Sequence, residues 1–240
     1  MRTHFLDMYH TLNDHFIEMG QHVNNQINNA TKAFVSHNKI QAQEVIDNDQ
    51  KVNKSEINLE KEALELIALQ QPFADDFRAV ISILKASADL ERIGDHAVSI
   101  ARETIRLADD SGNNKIESAI TDLSNLIRNM LSDMLTATAE LDSEFSISVA
   151  HKDLKVDEQY VRIRRIIALT IQQESETAKT TSAYLLVIKT LERIGDHIVN
   201  LAEELVYNRD GKIVELNLGK TNPDLVQKAL DNGTNNNHDK

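Results

Sequence analysis

"LERIGDH" stands at Leu90–His96 and again, letter for letter, at Leu191–His197. Each copy sets a glycine, Gly94 or Gly195, between two acids inside a stretch with helical spacing. Glycine in a helix costs about 1 kcal/mol against alanine. Its return at the same place points to a close backbone approach or to ligand access. The repeat extends further: "DQKVN" (Asp49–Asn53) matches "DLKVD" (Asp153–Asp157). The shorter motifs lie 104 positions apart and the longer ones 101. The second copy has therefore lost three residues between its motifs, where the first carries the turn "QQPFADD". The chain reads as a tandem duplication of a three-helix unit.

Six long helices are predicted. In the first, Phe5, Met8, Leu12, Phe16, Met19, Val23, Ile27, Ala30 and Phe34 follow steps of three and four in an eleven-residue repeat. That repeat makes a nearly straight apolar stripe, and the stripe demands a partner surface. A second helix runs from about Ile40 to Gln70, where Pro72 stops it. The third starts at Asp75 or Asp76 and runs to about Leu107. After the linker "DDSGNNK" (109–115), helices are expected from Ile116 to Leu141, Ile147 to Ser175 and Thr180 to Tyr207. Beyond "NRDGK" only a weak alternation at Val214, Leu216 and Leu218 precedes a polar end expected to be partly disordered. The predicted units are 1–109 and 116–209, joined by 110–115 and followed by a tail, 210–240.

Composition narrows the function. The 240 residues are 41% hydrophobic, with two prolines, seven glycines and no cysteine, and the net charge is −12. An acidic chain is poorly suited to nucleic acid or anionic lipid, both of which need a cationic face. Thiolate metal sites are excluded. "AYLLVI" is the longest apolar run and falls far short of the ~20 residues that span a bilayer. These features describe a soluble, cytoplasmic, all-α protein without direct membrane insertion.

The chemistry lies in the acids. On a helical wheel Leu90 belongs to an apolar stripe with Ile83, Ala86, Ile93, Ala97 and Ile100. Arg78, Lys85, Asp89, Arg92, His96 and Glu103 make a wet one. Glu91 and Asp95 continue the line of Phe77, Ile81, Leu84 and Ala88 instead. Asn53 shares a line with Ile46, Ile57 and Leu64, and Asp157 shares one with Ala150, Val161 and Ala168. Each unit thus offers two i, i+4 pairs of oxygen-bearing side chains: Asp49 and Asn53 with Glu91 and Asp95, then Asp153 and Asp157 with Glu192 and Asp196. If the helices are neighbours, an all-oxygen cluster forms, which suits Mg²⁺, Mn²⁺ or iron. The bland alternatives are surface pairs with Arg92 and Arg193, buried ion pairs, and a packing role for the glycines. His96 and His197 read as solvated histidines. A di-iron oxidase would need Glu-x-x-His, and glycine occupies that place. Lys189 replaces Ala88 in the second copy and is placed to neutralise Glu192 or Asp196. No nucleophile–base constellation or Gly-rich phosphate loop is present, so the chain reads as a non-enzyme. A metal-dependent bundle enzyme and a metal-free helical scaffold are the rival readings.

From about Phe5 to Tyr207 the chain resembles the PhoU family of phosphate-transport accessory proteins. The resemblance is carried by "MGQHVNNQINNA", "VIDNDQKVN", "QPFADDFR", "HKDLKVDEQY" and both "LERIGDH" copies. It implies two three-helix bundles, a homodimer, and multinuclear iron or zinc clusters on the acid motifs. It also implies a negative regulator of phosphate uptake by an ABC transporter. Such a regulator contacts the transporter ATPase and a sensor histidine kinase, and represses starvation genes. Four carboxylates at the second site against three at the first favour the second site, unless Lys189 substitutes for the ion.

Overall fold

The computed structural model describes residues 2–107, 112–173 and 178–221. Among them there is no strand; six long helices and two short ones account for nearly all the chain. They are α1 (Arg2–Val35), α2 (Lys39–Gln70), α3 (Asp75–Leu107), α4 (Asn114–Glu140), α5 (Ser143–Ala150), α6 (Asp153–Gln173), α7 (Ala178–Asp210) and α8 (Leu218–Thr221). Helices α1–α3 form one bundle, α4–α7 repeat it, and α8 belongs to the tail.

Local chemistry sets the boundaries. Asn38 caps α2 by accepting from the Gln41 amide at 3.1 Å, and Asn113 and Asp142 cap α4 and α5 likewise. Helix α2 ends at Gln70, with Gln71 in the left-handed conformation ahead of Pro72. The expected start of α3 at Asp75 is observed, and its two acids face the positive helix end.

The stripe of α1 is buried as the eleven-residue spacing requires. Leu12, Phe16, Met19, Val23, Ile27 and Ala30 are each at most 2% exposed. Its cover comes from within the chain, since α1 packs on α2, α3 and α4. Thr31 meets Ser124 at 2.9 Å, and Asn24 both donates to the Arg128 carbonyl and accepts from its guanidinium. The partner surface that the stripe demands is thus supplied within the chain.

The bundles join along a second seam between α3 and α7, the two helices that carry LERIGDH. Here one expectation is corrected. The stripe of α3 read as wet is largely this seam. Lys85 pairs with Glu204, Asp89 accepts from Asn200 and bonds His197, and Arg78 donates to the Asn208 carbonyl. The acidic body of each repeat is thus stitched to the other by polar contacts that a helical wheel assigns to solvent.

The fifth expected helix is two helices. The chain turns at His151 and Lys152, where Lys152 N bonds Val149 O and Lys155 N bonds Lys152 O in tight i, i+3 fashion. Lys152 reaches Asp133 at 2.6 Å and lies over the Phe145 ring, which fixes the corner. Asp153 consequently opens α6, where the helix dipole favours a carboxylate. Ala150 is on a separate helix from Asp157, so the line drawn through both is broken. The predicted end at Ser175 lies outside the described residues.

The linker is also more than a spacer. The Glu117 side chain, in α4 and 5% exposed, accepts from Tyr184 Oη at 2.9 Å and bonds His37 Nε2 at 2.9 Å. Tyr184 in turn accepts from the Asn113 amide at 2.7 Å and packs edge-on to Phe34. Gly112 sits against Glu117 and His37 with no room for a Cβ. Residues 112–113 are therefore part of a buried polar joint between the repeats; 108–111 lie outside the described residues.

The tail is described as far as Thr221. Gly211, at φ +67°, turns the chain out of α7 over Arg78. The following strap is tied down where Leu216 N donates to Glu203 at 2.8 Å. Leu216 packs on the core and Asn217 is 3% exposed. The alternation foreseen at Val214, Leu216 and Leu218 covers a non-helical strap, 211–217, and the first residue of α8; the polar end beyond 221 lies outside the described residues.

Candidate metal centres

Packing of α2 on α3 and of α6 on α7 brings the expected motifs together in each repeat. The two glycines are where the backbones approach. A Cβ on Gly94 would lie 3.2 Å from Val52 Cγ1 and 3.2 Å from Gln26 Oε1, with Asp49 Oδ1 at 3.8 Å. One on Gly195 would meet Val156 Cγ1 at 3.2 Å and collide with Asp153. The repeated glycine thus lets the acid of one helix sit directly over the other helix's axis.

In the first cluster Asp49 is the inner acid. Its Oδ1 accepts from Gln26 Nε2 at 3.0 Å, and its Oδ2 is 3.5 Å from Asn53 Nδ2. Glu91 and Asp95 lie further out, with side chains 24% and 46% exposed, and Arg92 stands 3.8 and 3.7 Å from them. Partial burial, then the charge of Asp95, push the Glu91 carboxyl above its usual range, with Glu56 and Asp49 adding to the effect. Glu56 and Gln26 are members that the motif spacing does not reveal. The line from Phe77 toward Glu91 is not buried as expected: Phe77 is 44% exposed, and on α2 Ile57 and Leu64 are exposed too. These acids therefore lie on an open groove rather than in an apolar core.

The second cluster is closed by the chain itself. Asn217 on the strap donates its amide to Asp196 Oδ1 at 2.7 Å and lies 3.4 Å from Asp153 Oδ2. Gly219 presses on the Asp157 carboxylate without space for a Cβ. Lys189 binds both oxygens of Glu192 at 2.6 Å, as its place on the wheel foretold, and its ammonium lies 5.5 Å from the centre of the Tyr160 ring. An amide donor and an ammonium thus satisfy the acids that a cation would otherwise take. The carboxylate count that favoured this site is offset by its internal partners.

Neither cluster is drawn in as a finished coordination shell. Among the described residues no three His, Asp or Glu side chains are close enough to hold an ion as they stand. In kind, the donors of the first cluster fit a hard cation: all are oxygens, brought close at Gly94. The second would have to give up Asn217 and Lys189.

His96 and His197 are half-buried rather than fully solvated. They face each other across the α3–α7 seam, with ring centres 5.4 Å apart, and His197 Nδ1 lies 2.7 Å from Asp89 Oδ1. Burial first, then His197 and Arg193, lower the His96 pKa from 6.5 to about 4. The unfolded chain then binds a proton that the folded one refuses. Stability contributed by neutral His96 is present above pH 6.5 and is lost as pH falls toward 4. After allowance for partial solvent screening the loss is about 1–2 kcal/mol. Urea unfolding should show His96→Gln losing less stability than the wild type between pH 7 and pH 4.5, and parallel curves would refute the assignment.

The chain matches the PhoU domain model twice, over residues 16–104 and 120–205. It belongs to the PhoU family. A PhoU homolog from Streptococcus pneumoniae, described as a phosphate-specific transport system accessory protein, is 35% identical over 221 residues, 90% of this chain and all of the relative. The homolog from Pseudomonas putida is 33% identical over 193 residues, 80% of this chain and 75% of its own length. The crystal structure of the phosphate transport system regulatory protein PhoU from S. pneumoniae superposes with a TM-score of 0.82 at 32% identity, covering 88% of this chain and 99% of that one. PhoU from Pseudomonas aeruginosa gives 0.81 at 31% identity, over 87% and 100%. The all-α tandem architecture and the family resemblance read from LERIGDH are both shown by these matches. The relatives' names place the family among phosphate-transport accessory and regulatory proteins. No described helix is long and apolar enough to cross a membrane.

Proposed function

We propose that this protein is a non-enzymatic, cytoplasmic negative regulator of phosphate uptake. It restrains a phosphate-specific ABC transporter through the ATPase subunit and represses the starvation response through a sensor histidine kinase. The observation that carries this reading is the near-complete match, across both repeats, to proteins named as phosphate-transport accessories and regulators. The structure supports a binding role in two ways. Its repeated heptamers lie on the two helices of one seam, and the acids of its first cluster lie on an open groove. Asp49, Asn53, Glu91 and Asp95 form one cation site, and Asp153, Asp157, Glu192 and Asp196 form a second, within the units 1–109 and 116–209. Multinuclear iron or zinc, or single Mg²⁺ or Mn²⁺ ions, are the candidates, and association into a homodimer would use faces other than that of α1.

A clean deletion should raise phosphate uptake and starvation-gene expression several-fold in phosphate-rich medium. Uptake and expression that stay at the parental level, in a strain without a second copy, would refute the regulatory reading.

A further inference from the structure

We infer that the first acid cluster is a three-helix cation site in which Gln26 of α1 is a ligand alongside Asp49, Asn53, Glu91 and Asp95. The inference rests on reading the acid pairs as cation sites, and it adds a helix and a residue outside both repeated motifs.

Three observations carry it. Gln26 is only 7% exposed, and its amide nitrogen is committed to Asp49 Oδ1 at 3.0 Å. That bond fixes which way the amide points, so Oε1 is left buried without a hydrogen-bond partner. Asn53 repeats the arrangement: its nitrogen faces Asp49 Oδ2, and its buried Oδ1 has no partner. Two amides on different helices thus turn their donors to one carboxylate and leave both oxygens unmatched beside it. Buried acceptors in that state carry a desolvation penalty. The third observation is the close approach at Gly94, where the missing side chain lets Gln26 Oε1 and Asp49 Oδ1 come within 3.2 and 3.8 Å of where a Cβ would be.

A hard cation resolves all three. It takes amide and carboxylate oxygens together, sits where Gly94 lets Gln26 and Asp49 approach α3, and draws Glu91 and Asp95 away from Arg92. In the second cluster Asn217 already donates to Asp196 and Lys189 to Glu192, and an ion there would have to displace both. The first cluster, with fewer carboxylates, is therefore the one that takes the ion.

The test uses metal-free full-length protein titrated with Mn²⁺ alone, followed by calorimetry and by the electron paramagnetic resonance of free Mn²⁺. The wild type should show a saturable site that E91Q/D95N abolishes and E192Q/D196N leaves. Q26L should weaken it at least tenfold, the lower end of what supporting metal contacts are worth. Q26E, which keeps an oxygen in place, should bind at least as tightly as the wild type. Q26L also loses the bond to Asp49, so ligation is separated from packing by the rise in unfolding temperature that saturating Mn²⁺ causes, present in the wild type and Q26E and absent in Q26L. If Mn²⁺ binding is lost in E91Q/D95N but unchanged in Q26L, the role of Gln26 is overturned while the cation reading stands. If the wild type binds no Mn²⁺, or binds it only through Glu192 and Asp196, the proposal is overturned, and the cation reading of this cluster falls with it.

Discussion

Asn217→Asp is expected to release the strap from the second cluster. The amide that now donates to Asp196 at 2.7 Å would become a carboxylate facing Asp196 and Asp153. Asn217 and Asp153 are each only 3% exposed, so like charges there are poorly screened and one must take a proton or leave. Detachment is the cheaper course because residues 211–217 lie in no helix and are tied down through Leu216 and Asn217. A lost charge-assisted bond and the new repulsion together amount to about 2 kcal/mol. Hydrogen exchange at the Leu216 and Thr221 amides, bonded to Glu203 and to the Asn217 carbonyl, should accelerate roughly thirtyfold. The amides of α3 should keep their protection. Mn²⁺ should partly reverse the change by bridging the added carboxylate. Exchange at the wild-type rate would show that Asn217 does not hold the strap.

Gly195→Ala should cost about 2 kcal/mol, the usual penalty for forcing an atom into a closed space. Asp153 has nowhere to retreat, being buried at the start of α6 with Asn217 above it. Gly94→Ala is the informative control. Its new methyl meets Gln26 Oε1 and Val52 at 3.2 Å, a tight but yielding contact. The helix propensity gained, about 1 kcal/mol, should leave the change within about 1 kcal/mol of neutral. Denaturant unfolding of both variants decides the matter. Equal costs would mean that the two glycines serve one packing purpose and that the clusters do not differ as described.

The duplicated motifs made much of this legible. Helix periods, the Pro72 turn and the α1 stripe gave the six helices, because each depends on local spacing. Lys189 was readable because it sits three residues before Glu192 on one helix. What escaped depends on contacts between segments. "VAHKDL" has no glycine or proline, so the corner before Asp153 rests on Lys152 reaching Asp133. The polar stripe of α3 looked wet because its partners Asn200, Glu204 and Asn208 are more than 100 positions away. Asn217 sits in a tail with little periodicity. Gln26 did leave a trace, lying three residues after Val23 and four before Ala30, both fully buried. A polar residue on such a stripe asks what it faces.

The seam joining α3 to α7 has a thermodynamic consequence. Asp95 and Asp196, one from each acid cluster, are chain neighbours of His96 and His197, whose rings meet across the seam. Any shift of α3 that accompanies binding at the first cluster is therefore felt where α7 carries the second, and the reverse holds equally. If two ions bind this chain, each must alter the affinity for the other by the same factor. The twice-written heptamer would then do more than make two sites: it would make them cooperative, with a sign set by how the two histidines repack.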